Sequence, residues 1–235
     1  MDVSPDIGRP EFLPRGQVLY LDAIEESFRM ASLSYERLQE SLLDWMSLRD
    51  AAKTSLPRPS DEMSRLNSAI MLDAWSLVDV LNRLRVMVES MPGLKKSSPG
   101  VKSLLQSLGP IEELRNAVQH LYGEVHTIAD TGHPIWGSLS WATPPVKPGD
   151  ALKAAAFIPG TLAPVKGIPV VNPIGRKCDH PVGLIELTAA GKTVSLSDMV
   201  AAVLRFADRL ELAAKAAFVD PPEEGSGIVF NLDAS

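Results

Sequence analysis

The chain has 235 residues, 45% of them hydrophobic and 22% charged, with a formal net charge of −6. That length and balance fit a globular protein with one large domain or two small ones and exclude a disordered chain. The acidic surplus excludes a protein that coats nucleic acid non-specifically, while leaving room for a local basic site.

A single cysteine, Cys178, excludes an internal disulfide framework and fits a reducing compartment. The opening MDVSPDIGRPEFLP has no basic start followed by an apolar run. No stretch reaches the apolar length of a bilayer span, so a cytoplasmic protein with no membrane contact is expected.

Residues 1–16, rich in Pro and Gly, read as an arm. Over 17–52, Leu21, Ile24, Phe28, Ala31, Tyr35, Leu38, Leu42, Trp45 and Leu48 recur at three-four spacing, the stripe of an amphipathic helix. Glu25, Glu26, Arg29, Glu36, Arg37 and Glu40 form its expected solvated face. A second helix starts near Ser60 and carries a near-heptad seam from Met63 to Met91. A further apolar row, Met71, Trp75 and Val78, widens its buried face and suggests a homodimer seam.

A short helix is predicted over 100–108, followed by a helix over 111–128 that Pro110 opens at its first turn. Residues 17–130 thus read as an up-and-down helical bundle with short connections.

Beyond residue 130 the period changes from helical to two. Strands are expected over 135–142, 152–158, 169–171 and 182–188. Trp136 and Trp141 fall on opposite faces of the first, one for a core and one for an interface. Ala190-Gly191-Lys192 reads as a tight hairpin turn with a return strand over 193–196. Ser197 is the expected cap of a last helix over 198–218. The fold class is therefore α+β: an N-terminal bundle, then over 131–219 a small antiparallel sheet closed by a long C-terminal helix and packed on the bundle. Residues 220–235 form an acidic tail with an apolar island at 228–230.

The chemistry-bearing stretch is IEELRNAVQHLYGEVHTI, residues 111–128, with Arg115, a polar Asn116 and His120. A guanidinium holds phosphate in a bidentate fork. A histidine that titrates near neutrality can move protons on and off a ribose hydroxyl or a leaving oxygen. On a helix Asn116 and His120 share a face, whereas Arg115 points about 140° away from His120. One phosphate held by both requires Arg115 to wrap round or a second subunit to complete the site.

Arg115-Asn116-Ala117-Val118-Gln119-His120 resembles the arginine, polar residue, spacer and histidine motif of the HEPN superfamily. The resemblance covers 17–130 in architecture and 115–120 by motif. It implies a helical bundle, a homodimer that brings two motifs together, and a metal-independent endoribonuclease of the defence or toxin–antitoxin type. Arg115 would hold the scissile phosphate, His120 act as acid or base, and Asn116 orient one of them, with Asp73 on the facing helix as a helper. Arg83, Arg85, Lys95, Lys96 and Lys102 would supply the RNA track. No cofactor is called for.

A second reading stays open, in which Arg115 pairs with Glu112 or Asp73 and the protein is a non-catalytic dimeric module that binds a partner protein. His126, Asp130 and His133 have the ligand types for zinc, but their spacing crosses a helix end without a fourth ligand, so no metal is expected. Cys178, Asp179 and His180 are adjacent in a loop, where neighbouring side chains diverge, which argues against a Cys–His nucleophile pair.

Overall fold

A computed structural model of the protein describes residues 13–52, 61–119, 134–145, 151–160, 167, 169–217, 229–230 and 232. Among the described residues the order is three N-terminal helices, α1 (Arg15–Ala52), α2 (Asp61–Ser90) and α3 (Pro99–Gln119), then strands β1 (Ser138–Thr143), β2 (Lys153–Phe157), β3 (Gly183–Ala189) and β4 (Lys192–Ser195), then α4 (Leu196–Ala217). The architecture is α+β, as the change of period at residue 130 implies. No helix among the described residues is long and apolar enough to cross a membrane.

The chain divides into two compact units, each gathered from segments distant in sequence. The first comprises residues 1–33, 79–109 and 199–235. Its described core is helical: Leu21, Ile24 and Phe28 of α1, Leu81, Leu84 and Val88 of α2, Leu104 and Leu108 of α3, and Phe206 and Leu210 of α4 are all buried. Phe28 meets Phe206 edge to face at 6.1 Å, so the last helix closes the core that the first one opens. Glu25, expected on the solvated face of α1, is buried and pairs with Arg29 one turn on. Its position follows the helical period on the core side of Leu21 and Ile24, and the ion pair is what makes its burial tolerable.

The second unit comprises residues 34–78 and 110–198. Its sheet is antiparallel throughout, in the order β2-β1-β3-β4. Every residue of β1 is buried. On one side Trp141 meets Trp45 of α1 edge to face at 5.8 Å, and Trp45 also meets Phe157 of β2 at 5.6 Å. On the other side Ala142 clusters with Val171 and Leu184, and the Ser140 hydroxyl accepts the Val171 N–H at 3.0 Å. Residues 169–171, expected as a strand, are thus an irregular cover of the sheet rather than a member of it.

The β3–β4 turn has positive φ at both Ala190 (49°) and Gly191 (73°), the primed geometry that matches strand twist and the reason this dipeptide reads as a hairpin. Between Ser140 and Ala142 the β1–β3 register slips, and Leu184 takes up the extra residue with φ 52°.

Two local expectations are corrected. The predicted helices on either side of Pro110 are one helix with Pro110 in its interior. Val101, Leu104, Leu108, Ile111 and Leu114 keep one buried stripe across it, and that continuous burial outweighs the hydrogen bond the proline forfeits. The cap of α4 is Ser195, whose hydroxyl accepts the Asp198 N–H at 3.3 Å, while Ser197 turns elsewhere.

Candidate functional site

Of the catalytic set expected from the sequence, Asp73, Arg115 and Asn116 fall in the second unit. On α3, Leu114 is buried, Arg115 half-buried and Asn116 exposed, as a helix places successive positions. His120, with His126, Asp130 and His133, lies outside the described residues. Asp73 of α2 is buried, and its carboxylate takes Arg37 of α1 at 3.1 Å. Burial raises the Asp73 carboxyl above its usual range and Arg37 pulls it part of the way back. Asp73 is therefore a partner of Arg37, a residue the helical period places on a solvated face.

The five cations expected along an RNA track belong to the first unit. Lys95, Lys96 and Lys102 are exposed. Arg83 lies 3.5 Å from Asp79, and Arg85 lies 2.7 Å from Glu89, each pair one helical turn apart on α2. Beside Arg115, Glu113 reaches Lys192 of β4 at 2.6 Å, and that contact lowers its carboxyl pKa.

No family model, curated protein or solved structure matches this chain. The site has to be argued from its own geometry.

A concave site does form in the second unit, away from Arg115 in sequence. Asn67, Met71, Leu72 and Trp75 supply one wall from successive turns of α2. Trp136 and Pro159–Gly160 supply the other, and together they enclose about 440 Å³. That volume lies in the roughly 300–1,000 Å³ range of binding pockets.

Spacing of three and four on α2 puts the α2 residues on one face. Trp136 sits in the tight turn ahead of β1, closed by the Gly137 N–H on the Pro134 carbonyl at 2.9 Å. The Trp75 indole N–H donates to the Trp136 carbonyl at 3.0 Å and ties that turn to α2.

The Asn67 amide is oriented by the Trp45 indole N–H, which its Oδ1 accepts at 3.1 Å. Leu72 is 63% exposed and Trp136 58% exposed, beside a buried Met71. Large apolar groups held open to water around an empty volume are the signature of a surface that receives another apolar group.

The sequence signalled part of this site. The Met71–Trp75 row was legible as an extra apolar face, and the sequence left open which of Trp136 and Trp141 faces outward; the structure makes it Trp136. Trp136 precedes β1, because the strand begins at Ser138 and not at Ile135. Leu72, Asn67 and the 159–160 corner carried no signal, because their role depends on contacts between distant segments.

A second polar cluster in the same unit was invisible in the sequence. The Ser197 hydroxyl accepts the Ile185 N–H at 2.7 Å and shares a 2.7 Å hydrogen bond with Tyr35. Burial raises the Tyr35 pKa, against the lowering effect of the Ser197 bond. Burial likewise raises Cys178, whose thiol donates to the His180 backbone carbonyl at 3.2 Å and not to the imidazole. Glu186 is also raised by burial, with Arg176 opposing and Asp198 adding to the rise, and Arg176 grips Asp198 at 2.6 Å.

A phenol and a thiol both pushed toward their neutral forms make poor nucleophiles. This cluster joins α1, β3 and the start of α4. Among the described residues, no group of three or more His, Cys, Asp and Glu side chains is arranged to hold a metal ion.

Proposed function

We propose that this protein is a non-catalytic interaction module that binds a partner protein through the pocket walled by Met71, Leu72, Trp75 and Trp136. The observation that carries this reading is the exposure of Leu72 and Trp136 on either side of a volume of about 440 Å³. The occupant that fits is an aromatic or branched aliphatic side chain of the partner, seated between Trp75 and Trp136 as a central anchor. Asn67 offers its Nδ2 amide to a carbonyl of the incoming segment, since its Oδ1 is engaged by Trp45. Homodimerisation through the helical bundle belongs to the same proposal.

The test is a displayed library of random peptides panned on the protein. Enriched peptides carry an aromatic or leucine anchor and quench tryptophan emission. Their binding is lost in folded Leu72→Asp and Trp136→Ala variants. Peptides that enrich equally on those variants would remove the pocket from the reading.

A second reading rests on Arg115 and Asn116, placed half-buried and exposed on α3. In it the protein is a HEPN-like ribonuclease. Arg115 holds the scissile phosphate, His120 moves the proton of the attacking 2′-hydroxyl, and Asn116 orients one of them. Asp73 serves this site only if it leaves Arg37. RNA cleavage in EDTA, present in the wild type and lost in folded Arg115→Ala and His120→Ala variants, would favour this reading over the first. No cleavage of any of several RNAs would set it aside.

A further inference from the structure

Within the first unit, Phe230 and Leu232 lie against loop 93–98 and the first turn of α3. Phe230 forms a parallel bridge with Leu94: its N–H donates to the Gly93 carbonyl at 2.9 Å, and its carbonyl accepts the Lys95 N–H at 3.0 Å. Two residues on, the Leu232 carbonyl accepts the Gly100 N–H at 2.9 Å, at the first turn of α3. Phe230 and Leu232 are 1% and 2% exposed, while Val229 is 72% exposed. Phe230 and Leu232 are thus two buried anchors beside an outward Val229, joined to the loop by a strand-like bridge.

Position 100 is shaped to the segment. A Cβ on Gly100 would lie 3.0 Å from both the Cβ and the carbonyl oxygen of Leu232.

The helix end beneath the segment holds an unpaired donor-acceptor group. Ser98 precedes Pro99, the first residue of α3, and so occupies the N-cap position. An N-cap serine ordinarily accepts the N–H two or three residues on. Here the Gly100 N–H is taken by Leu232, and the Ser98 hydroxyl is buried with no hydrogen-bond partner among the described residues. Docking of the segment therefore replaces the helix's own cap. Release of the segment would let Ser98 cap Gly100 again, so the backbone bond lost at Leu232 is regained at Ser98. The docked and released states differ by less than the three hydrogen bonds and two buried side chains of the segment suggest.

We propose that loop 93–98 and the first turn of α3 form a receptor groove for a segment with an aromatic residue followed two positions later by leucine, and that Phe230 and Leu232 are its detachable occupants in cis. A partner segment of the same chemistry competes for the groove by displacing them.

Two measurements on the full chain test this. In hydrogen exchange, the amides of Phe230 and Lys95 should exchange at least about tenfold faster than those of Phe206 and Leu210, as sub-global opening requires, whereas the Gly100 amide passes from Leu232 to Ser98 and stays protected. Ser98→Ala removes the competing cap and should slow exchange at Phe230 and Lys95 by roughly fivefold, the usual worth of an N-cap. In the second measurement, a fluorescent peptide copying residues 226–235 is added to Phe230→Ser/Leu232→Ser chain, in which the groove is vacated. It should bind there, bind the wild type at least about tenfold more weakly, and fail to bind when Gly100→Val is added. Exchange of Phe230 and Lys95 in step with the α4 core, a folded vacated chain that ignores the peptide, or a vacated chain that cannot fold would each overturn the proposal. Each would make the segment a fixed part of the unit.

Discussion

Gly137→Ala is the substitution that most directly probes how the tryptophan pocket is held. Gly137 has φ 82° and closes the turn that carries Trp136. A Cβ there would sit 2.5 Å from the Thr188 carbonyl oxygen and 2.8 Å from the Ala189 Cβ. Two costs follow. The left-handed backbone disfavours any L side chain by roughly 1–2 kcal/mol. The overlap is with backbone and a Cβ of β3, neither of which can rotate away, and overpacking of that kind costs roughly 1–3 kcal/mol.

Gly191→Ala is the matched control, with φ 73° and nothing within 4 Å of the added carbon, so only the first cost applies. All four tryptophans, Trp45, Trp75, Trp136 and Trp141, lie in the second unit, so indole emission reports its unfolding directly. In urea, with a slope of about 2 kcal/mol/M, Gly137→Ala should lower the midpoint by about 1–2.5 M and Gly191→Ala by about 0.5–1 M. Peptides selected on the Trp136 pocket should also weaken on Gly137→Ala at temperatures where the variant is folded. Equal midpoint losses for the two variants would refute the close approach of residue 137 to β3.

The Ser197 joint predicts an order of effects. Ser197→Ala strands both the Ile185 N–H and the Tyr35 hydroxyl and should cost about 2–3 kcal/mol, whereas Tyr35→Phe removes one partner and should cost about 1 kcal/mol. Urea midpoints in the reverse order would contradict this.

Glu186 sets a pH dependence. Because folding raises its pKa, the native state keeps a proton that the unfolded chain gives up. Its favourable contribution is thus fully present below the ordinary carboxylate range and lost as pH rises through the raised value. Glu186→Gln should therefore be more stable than wild type at neutral pH, with the advantage vanishing toward roughly pH 4. A constant difference across that range in urea titrations would argue against a carboxyl whose pKa the fold raises.

Cys178, with its thiol raised by burial and hydrogen-bonded to the His180 carbonyl, should alkylate several-fold more slowly in the native chain than in the denatured one. Equal rates by mass spectrometry would show the thiol to be freely accessible.

What the sequence by itself determined is what depends on neighbours along the chain. The apolar stripes of α1, α2 and α4 are periodic, and the residues they select, from Leu21 to Leu42, Ile70 to Val88 and Met199 to Ala214, are largely buried. The α+β order follows from the change of period, and the 190–191 hairpin from turn chemistry that two residues suffice to specify.

What only the tertiary structure decided is what depends on segments far apart in the chain. Pro110 stays inside a helix because buried residues on both sides of it favour continuity. The burial of Asp73 on α2 is tolerable because Arg37 reaches it from α1. Ser197 leaves the capping role to Ser195 because Tyr35 and Ile185, from other elements, compete for its hydroxyl.

The pocket needs α2, the 134–137 turn and the 159–160 corner together, and the docking of Phe230 and Leu232 needs a loop more than a hundred residues upstream. Local periodicity records which residues prefer burial. It does not record which distant backbone or side chain will meet them, and both candidate binding surfaces of this protein are made of such meetings.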